Sequence, residues 1–132
     1  MRTFDPWQGN RYKTDGINGK RLLILGEAHR GNPGTEYQIY TINIIREMAS
    51  QKSELPIFAR IQHIVFGTRG FLSNAARKDF WERVAFSNFI QAFPGLAPKS
   101  RPTPAMWLAA REPLLQTLEE LNRRFYWFWA SS

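Results

Sequence analysis

The chain has 132 residues, of which 43% are hydrophobic and 22% charged, a balance typical of a globular rather than a disordered protein. Cysteine is absent, which excludes disulfides, thiolate zinc sites and iron–sulfur clusters held by cysteine. Lysine and arginine outnumber aspartate and glutamate by 18 to 11. The net charge of +7 suits a polyanionic partner such as nucleic acid, and it equally suits plain solubility. With only two histidines in the chain, a metal site would have to be rich in carboxylates, and we expect none.

The first 20 residues are predicted to form a lead-in loop. They are rich in Gly and Asn, and we expect the aromatic residues Phe4 and Trp7 to pin the loop to the core. The chain begins without the apolar stretch of a signal peptide, and no apolar run reaches the roughly 20 residues that a membrane helix needs. These features predict a cytoplasmic protein with no membrane partner, in which residues 21–132 form a single domain.

The next two segments predict a strand, a turn and a helix. Residues 21–25 read RLLIL, which is typical of a central strand covered on both faces, and the glycine-rich turn GEAHRGNPG follows. Thr35 and Gln38 have the spacing of a capping box, so a helix is expected to begin at Thr35. Its predicted apolar stripe consists of Tyr37, Thr41, Ile44, Ile45 and Met48.

Two further helices and a strand are predicted in the middle of the chain. The first helix begins near Pro56 and stops at Gly67, with one apolar side formed by Ile57, Phe58, Ile61, Ile64 and Val65. The second runs from about Ser73 to Arg83, with Ala76, Phe80 and Trp81 facing inward. Residues 84–90, VAFSNFI, predict a strand.

The last helix has the clearest start, with Thr103 as its cap and Pro104 in its first turn. Pro113 is expected to bend it, and its apolar stripe is predicted as Trp107, Ala110, Leu114, Leu118 and Leu121. We expect Trp107 to be a core residue rather than a ligand-stacking one. The aromatic residues 125–129 are expected to start a third strand. Alternating strands and helices predict an α/β layer with parallel pairing.

The turn after the first predicted strand is the candidate functional site, because ligands of open α/β sheets bind beyond the carboxyl ends of strands. Alternation along an extended chain places Glu27 and His29 on the same side. A carboxylate and an imidazole there can position or deprotonate a water molecule. The alternative is structural: Glu27 caps the next helix or pairs with an arginine, and His29 only hydrogen-bonds the loop.

Four further residues are candidates for contact with a ligand, and two of them also have a structural interpretation. Asn88, inside an apolar strand, offers donors and an acceptor to a nucleobase edge, or it satisfies backbone groups at the strand end. Arg101 can contact a phosphate, or it simply precedes a capped helix. Tyr37 and Tyr40, just past the turn, are better placed to stack on a base than the aromatic residues of the helices.

Taken in order, LLILGEAH, AFSNFIQ and RPTPAMWLAAREPLLQTLEEL resemble the uracil-DNA glycosylase superfamily, in its branch with a GEAPG-type motif. The resemblance covers about residues 21–122. It implies a three-layer α/β/α fold with a small, mostly parallel sheet, which is an incomplete uracil-DNA glycosylase-like fold. It also implies hydrolysis of an N-glycosidic bond on a flipped base in DNA repair, without a cofactor.

The site residues predicted in this way fall into three groups. The catalytic pair is Glu27 and His29, of which Glu27 lies at the family's position near the water and the sugar. The base-binding residues are Gly26, Ala28, Tyr37, Tyr40 and Asn88. The phosphate contacts are Arg30, Arg101 and Thr103, and the partner is DNA, either single-stranded or uracil-containing.

The chain also departs from that family. His29 stands where the family has a proline, and the family's later His-Pro-Ser-like motif has no counterpart, so the domain is expected to be truncated at the third strand. Two other functions therefore stay open. One is a non-catalytic interaction domain that forms a homodimer through the aromatic residues 125–129. The other is a small esterase-like hydrolase that uses Glu27 and His29.

Overall fold

The computed structural model describes residues 2–50, 56–67, 73–97, 99–121 and 125–130, without the side chains of residues 56–58, 66 and 125–130. In these ranges the chain forms four strands and five helices. In chain order they are β1 (Trp7–Gln8), β2 (Arg21–Gly26), α1 (Tyr40–Ala49), α2 (Pro56–Phe66), α3 (Asn74–Arg83), β3 (Ala85–Asn88), α4 (Pro104–Ala109), α5 (Arg111–Glu120) and β4 (Phe125–Ala130). The predicted α/β class is confirmed.

The strands form one sheet in the order β1-β3-β2-β4. Strand β2 pairs in parallel with both β3 and β4, whereas β1 pairs antiparallel with β3. The sheet is therefore mostly parallel, as predicted. In its register, Gly26 at the end of β2 lies opposite Asn88 of β3. Because parallel strands end at the same edge, the segments that follow β2 and β3 meet there.

Both faces of β2 are covered, as its apolar run predicts. Ile24 belongs to a core cluster that it forms with residues of α1, α2, α3 and β3. Leu23 points to the opposite face and packs with Tyr12, Ala85 and Leu121. Successive side chains of a strand alternate between faces, so a strand buried on both sides needs apolar residues at every position.

The lead-in segment is more regular than predicted. Trp7 and Gln8 form strand β1, opposite Phe86 and Ala85, so the prediction of a loop was wrong at these two residues. Phe4 is buried, and the indole Nε1 of Trp7 donates to the carbonyl of Trp81 at 2.8 Å. The aromatic residues of this segment thus fix it to the core, as expected.

Helix α1 begins later than its sequence pattern predicts. Thr35 and Gln38 do not form a capping box: the Thr35 hydroxyl donates to the carbonyl of Asn32, and Gln38 Nε2 donates to Asp5. The helix starts at Tyr40 and has no side-chain cap. Its buried residues are Thr41, Ile45 and Met48. The capping pattern failed because both side chains have partners outside a helix.

The next two helices agree well with their predictions. Helix α2 starts at Pro56 and ends before Gly67, which has a φ of 65°. Its Ile61 is buried but Ile64 is 60% exposed, so the predicted apolar side was wrong at Ile64. The predicted inward residues Ile57 and Phe58 lie outside the side chains that the structure describes. In α3 the Ser73 hydroxyl accepts from the Ala76 amide, and Phe80 and Trp81 are fully buried.

The last predicted helix is two helices, divided at Ala110. Proline has no amide hydrogen and its ring collides with the carbonyl four residues earlier, so Pro113 interrupts the helix at Ala109. Within α4 no residue is buried, and Trp107 is 37% exposed. The prediction of Trp107 as a core residue was therefore wrong. Ala110 and Leu121 are buried as expected.

The backbone of β4 adds the predicted strand to the sheet, beside β2. The aromatic side chains of 125–129 lie outside the description, so the homodimer through them stays a prediction. None of the described helices is both long enough and apolar enough to cross a membrane.

Candidate functional site

A cleft opens at the carboxyl end of β2, where the sequence places the functional turn. Its empty volume of about 230 Å³ includes open solvent at the mouth, and the enclosed part has room for roughly one water molecule. One wall is the turn after β2, and the other is the loop that follows β3. The lining residues are Glu27, Ala28, His29, Arg30, Pro94, Ser100, Arg101 and Pro102. Four predicted site residues in a row, together with the predicted Arg101, thus line one cavity.

Hydrogen bonds hold the two walls of the cleft together. The Gly31 amide donates to the carbonyl of Gly95 at 3.2 Å, and Arg30 Nη1 donates to the carbonyl of Ala97 at 2.8 Å. Gly31 also lies so close to the ring of Phe93 that a Cβ at position 31 would be 2.7 Å from that ring. Glycine is required at this close approach.

Glu36 braces the same two walls, and no sequence motif points to this role. Its carboxylate accepts a hydrogen bond from the Phe93 amide at 2.9 Å. Burial by itself would raise the pKa of Glu36, but hydrogen bonds from the backbone amides of Phe93, Glu36 and Gly34 outweigh it and lower the pKa. Glu36 is thus held in its charged form and ties the segment before α1 to the loop after β3.

His29 points away from the cleft mouth into an aromatic cluster. Its ring meets Tyr40 at 4.8 Å and Phe4 at 5.4 Å between centroids, and Phe93 completes the cluster. Nε2 of His29 lies 2.7 Å from Oγ1 of Thr41. Burial lowers the pKa of His29 to about 3, so the imidazole is neutral near pH 7. Such an imidazole is a weak base, and this geometry favours a structural role over a Glu–His acid–base pair.

Glu27 is the acidic residue of the cleft lining, and Arg30 and Arg101 line the cleft with it. The Glu27 side chain is partly buried, and its backbone carbonyl accepts from the amide of Ile90 at 2.9 Å. That bond extends the pairing of β2 and β3 beyond the strand ends and fixes the start of the turn. The cleft therefore combines one carboxylate with two guanidinium groups.

Asn88 lies beside the cleft but is not part of its lining. It is 5% exposed, and its Oδ1 occupies the space that a Cβ at Gly26 would need. Gln91 Nε2 donates to its backbone carbonyl at 2.9 Å. Within the described ranges, no group forms a hydrogen bond with its carboxamide. Asn88 is the register partner of Gly26, which directly precedes Glu27 on the chain.

The remaining predicted residues are scattered around this site. Tyr37 is 48% exposed and meets the ring of Tyr40, whose own ring belongs to the aromatic cluster behind His29. The hydroxyl of Thr103 accepts from the Met106 amide and caps α4. Tyr37, Tyr40 and Thr103 are not among the residues that line the cleft. Among the described side chains, no three His, Asp or Glu residues are grouped to hold a metal ion.

No protein-family model, curated protein or solved structure matches this chain. The resemblance to the uracil-DNA glycosylase superfamily therefore stays a prediction from the sequence motifs.

Proposed function

We propose that the chain binds nucleic acid with one nucleotide at the mouth of the Glu27 cleft, and that it hydrolyses the N-glycosidic bond of that nucleotide in the manner of uracil-DNA glycosylase-like proteins. The observation that carries the proposal is the placement of Glu27 with Arg30 and Arg101 in one cleft at the carboxyl end of a parallel strand. Open α/β sheets bind ligands at this end of their strands.

The charge around the cleft supports a polyanionic ligand. No aspartate or glutamate occurs in the sequence between Glu82 and Glu112. Lys99, Arg101 and Arg111 in this segment are exposed, and none of them pairs with a carboxylate of the described residues. By contrast, Arg2, Arg11 and Arg83 are held in ion pairs elsewhere on the molecule. Of these three cations, Arg101 lines the cleft, and exposed cations of this kind suit phosphate groups.

The carboxylate of Glu27 supplies the chemistry in this proposal. In the hydrolysis, a water oxygen bonds to C1′ of the sugar while the bond from C1′ to the base breaks and its electron pair stays on the base. Glu27 accepts a hydrogen bond from the attacking water and stabilises the positive charge that develops on the sugar. The proton released by the water goes to the departing base, so the reaction needs no other reactant.

Asn88 supports recognition of a base next to this carboxylate. Its carboxamide carries two donors and one acceptor, which are the groups that read the edge of a nucleobase. A base that pairs with this carboxamide would gain hydrogen bonds worth about 0.5–1.5 kcal/mol each. The Asn88 side chain adjoins Gly26, so a base held by it would lie close to Glu27.

The test is base release from uracil-containing DNA, single-stranded and duplex, by the wild type, Glu27→Gln and Glu47→Gln. Glu47 is an exposed residue of α1 outside the cleft and serves as the control. We expect wild type and Glu47→Gln to release the base, and Glu27→Gln to be slower by about 100-fold or more. No release by the wild type on either substrate would overturn the enzymatic part of the proposal.

A further inference from the structure

Helix α4 presents apolar side chains to solvent beside the cleft. None of its residues is buried, and Trp107 and Leu108 are 37% and 82% exposed. A partly exposed tryptophan is a costly surface residue, since its large apolar area remains in contact with water. The break at Ala110 produces this exposure, because α4 does not continue the buried side of α5.

Trp107 is connected to the cleft through Phe89. The rings of Trp107 and Phe89 lie 5.4 Å apart at an angle of 36°. The Phe89 amide in turn donates to the carbonyl of Gly26 at 2.8 Å, directly before Glu27. Phe89 thus backs one side of the indole while its own amide is fixed to the end of β2. The indole is held at the same edge of the sheet as the cleft.

Positive charge accompanies this aromatic surface. Arg101 lines the cleft and lies six residues before Trp107 in the sequence, and Lys99 and Arg111 of the same segment are exposed. Proteins bind single-stranded nucleic acid by stacking its bases on aromatic side chains beside positively charged groups that contact its backbone. A purely apolar partner would leave these cations without counterions, so the charge favours the nucleic acid.

We infer that Trp107, supported by Phe89, is a stacking site for a second nucleobase, and that the ligand is therefore single-stranded nucleic acid of at least two nucleotides. This inference rests on the proposed function, because the first nucleotide lies at the mouth of the Glu27 cleft. The second base stacks on the indole, and Arg101 binds the phosphate between the two nucleotides. Base stacking is tolerant of sequence, so the Trp107 site does not select a particular base.

The experiment compares the affinity of the protein for fluorescein-labelled oligothymidylate and for an abasic oligomer of the same length. The variants are Trp107→Ala, Trp107→Phe and the control Leu108→Ala, which removes a more exposed apolar side chain from the same helix. We expect Trp107→Ala to weaken oligothymidylate binding by about five-fold to a hundred-fold and to leave abasic binding unchanged. Trp107→Phe keeps a π face and is expected to retain most of the affinity, while Leu108→Ala retains all of it.

Thermal unfolding of each variant, followed by circular dichroism, checks that it is folded. Should Trp107→Ala not fold, Trp107→Leu fills the space against Phe89 without a π face and is expected to show the same loss. Equal oligothymidylate binding by wild type and Trp107→Ala, or an equal loss on both oligomers, would overturn the stacking site alone. A wild type that binds neither oligomer would overturn the proposed function, and this inference with it.

Discussion

Nε2 of His29 lies 2.7 Å from Oγ1 of Thr41, and both residues are buried. The pair connects the turn after β2 to the first turn of α1, so it fixes the wall of the cleft to the helix behind it. On the sequence alone, a histidine in the turn after a strand indicates a catalytic role. Its hydrogen bond and its aromatic neighbours instead indicate that it fixes the turn that carries Glu27 to α1.

Removing the hydroxyl of this pair is expected to destabilise the fold. Thr41→Val keeps the shape of the side chain but leaves the imidazole nitrogen unpaired in a buried site, which costs about 1–3 kcal/mol of the free energy of unfolding. Urea denaturation measures the change. Thr14→Val, at an exposed threonine, is the control and is expected to change stability by less than about 0.5 kcal/mol.

The depressed pKa of His29 predicts a loss of stability in mild acid. An unfolded histidine binds a proton near pH 6.5, whereas the folded imidazole does so only near pH 3. Between these values the unfolded state carries the extra proton, so the free energy of unfolding falls as the pH falls, by up to about 1.4 kcal/mol per pH unit.

Urea titrations between pH 4.5 and 7 on wild type and His29→Gln test this slope. Glutamine keeps a hydrogen-bonding group for Thr41 but does not titrate, so His29→Gln is expected to show a flatter dependence on pH. An NMR titration in which the His29 imidazole protonates near pH 6.5 in the folded protein would contradict the prediction.

Glu36 provides a way to loosen the cleft without changing its lining. Glu36→Ala removes the acceptor of the Phe93 amide, a charged hydrogen bond worth about 1.5–3 kcal/mol. We expect lower stability and weaker binding of oligonucleotides, because the loop after β3 is no longer braced. Since the pKa of Glu36 is lowered, this contribution is present above the pKa of an unfolded glutamate and is lost as the pH falls through the folded value. Glu47→Ala is the matched control, and equal effects of the two variants would contradict the brace.

Close packing at the end of β2 predicts a coupling between Gly26 and Asn88. In Gly26→Ala the new methyl group overlaps Asn88 Oδ1 and lies 3.1 Å from the Phe86 ring. Overpacking of this kind costs about 1–3 kcal/mol. A double-mutant cycle with Asn88→Ala is the measurement: the cost of Gly26→Ala should shrink once the carboxamide is gone. A cost that is the same in both backgrounds would show that the two side chains do not meet.

The sequence predicted the elements whose signals are local. The apolar run at Leu23 and Ile24 identified the central strand, and Ser73 identified the start of α3. At Thr35 the local signal failed, because Gln38 and Glu36 bond to Asp5 and Phe93, which are distant in sequence. Such partners cannot be read from a spacing pattern.

The candidate site was likewise predicted only in part. Glu27 was predicted because it follows a strand, and Arg101 because it precedes a capped helix. The structure brings both of them, with Arg30, into one cleft. The walls formed by Pro94 and Ser100 carried no signal of their own. Trp107 was placed in the core because its spacing continued a helical stripe, but Pro113 ends that stripe at Ala110.

The most direct test of the account is the salt dependence of oligothymidylate binding by wild type, Arg101→Gln and Lys78→Gln. Lys78 is an exposed cation on α3 outside the cleft lining and serves as the control. If Arg101 contacts a phosphate, its removal lowers the slope of log affinity against log salt concentration by about 0.7, whereas Lys78→Gln keeps the wild-type slope. Identical slopes for all three proteins, or no binding by the wild type, would contradict the claim that this cleft binds nucleic acid.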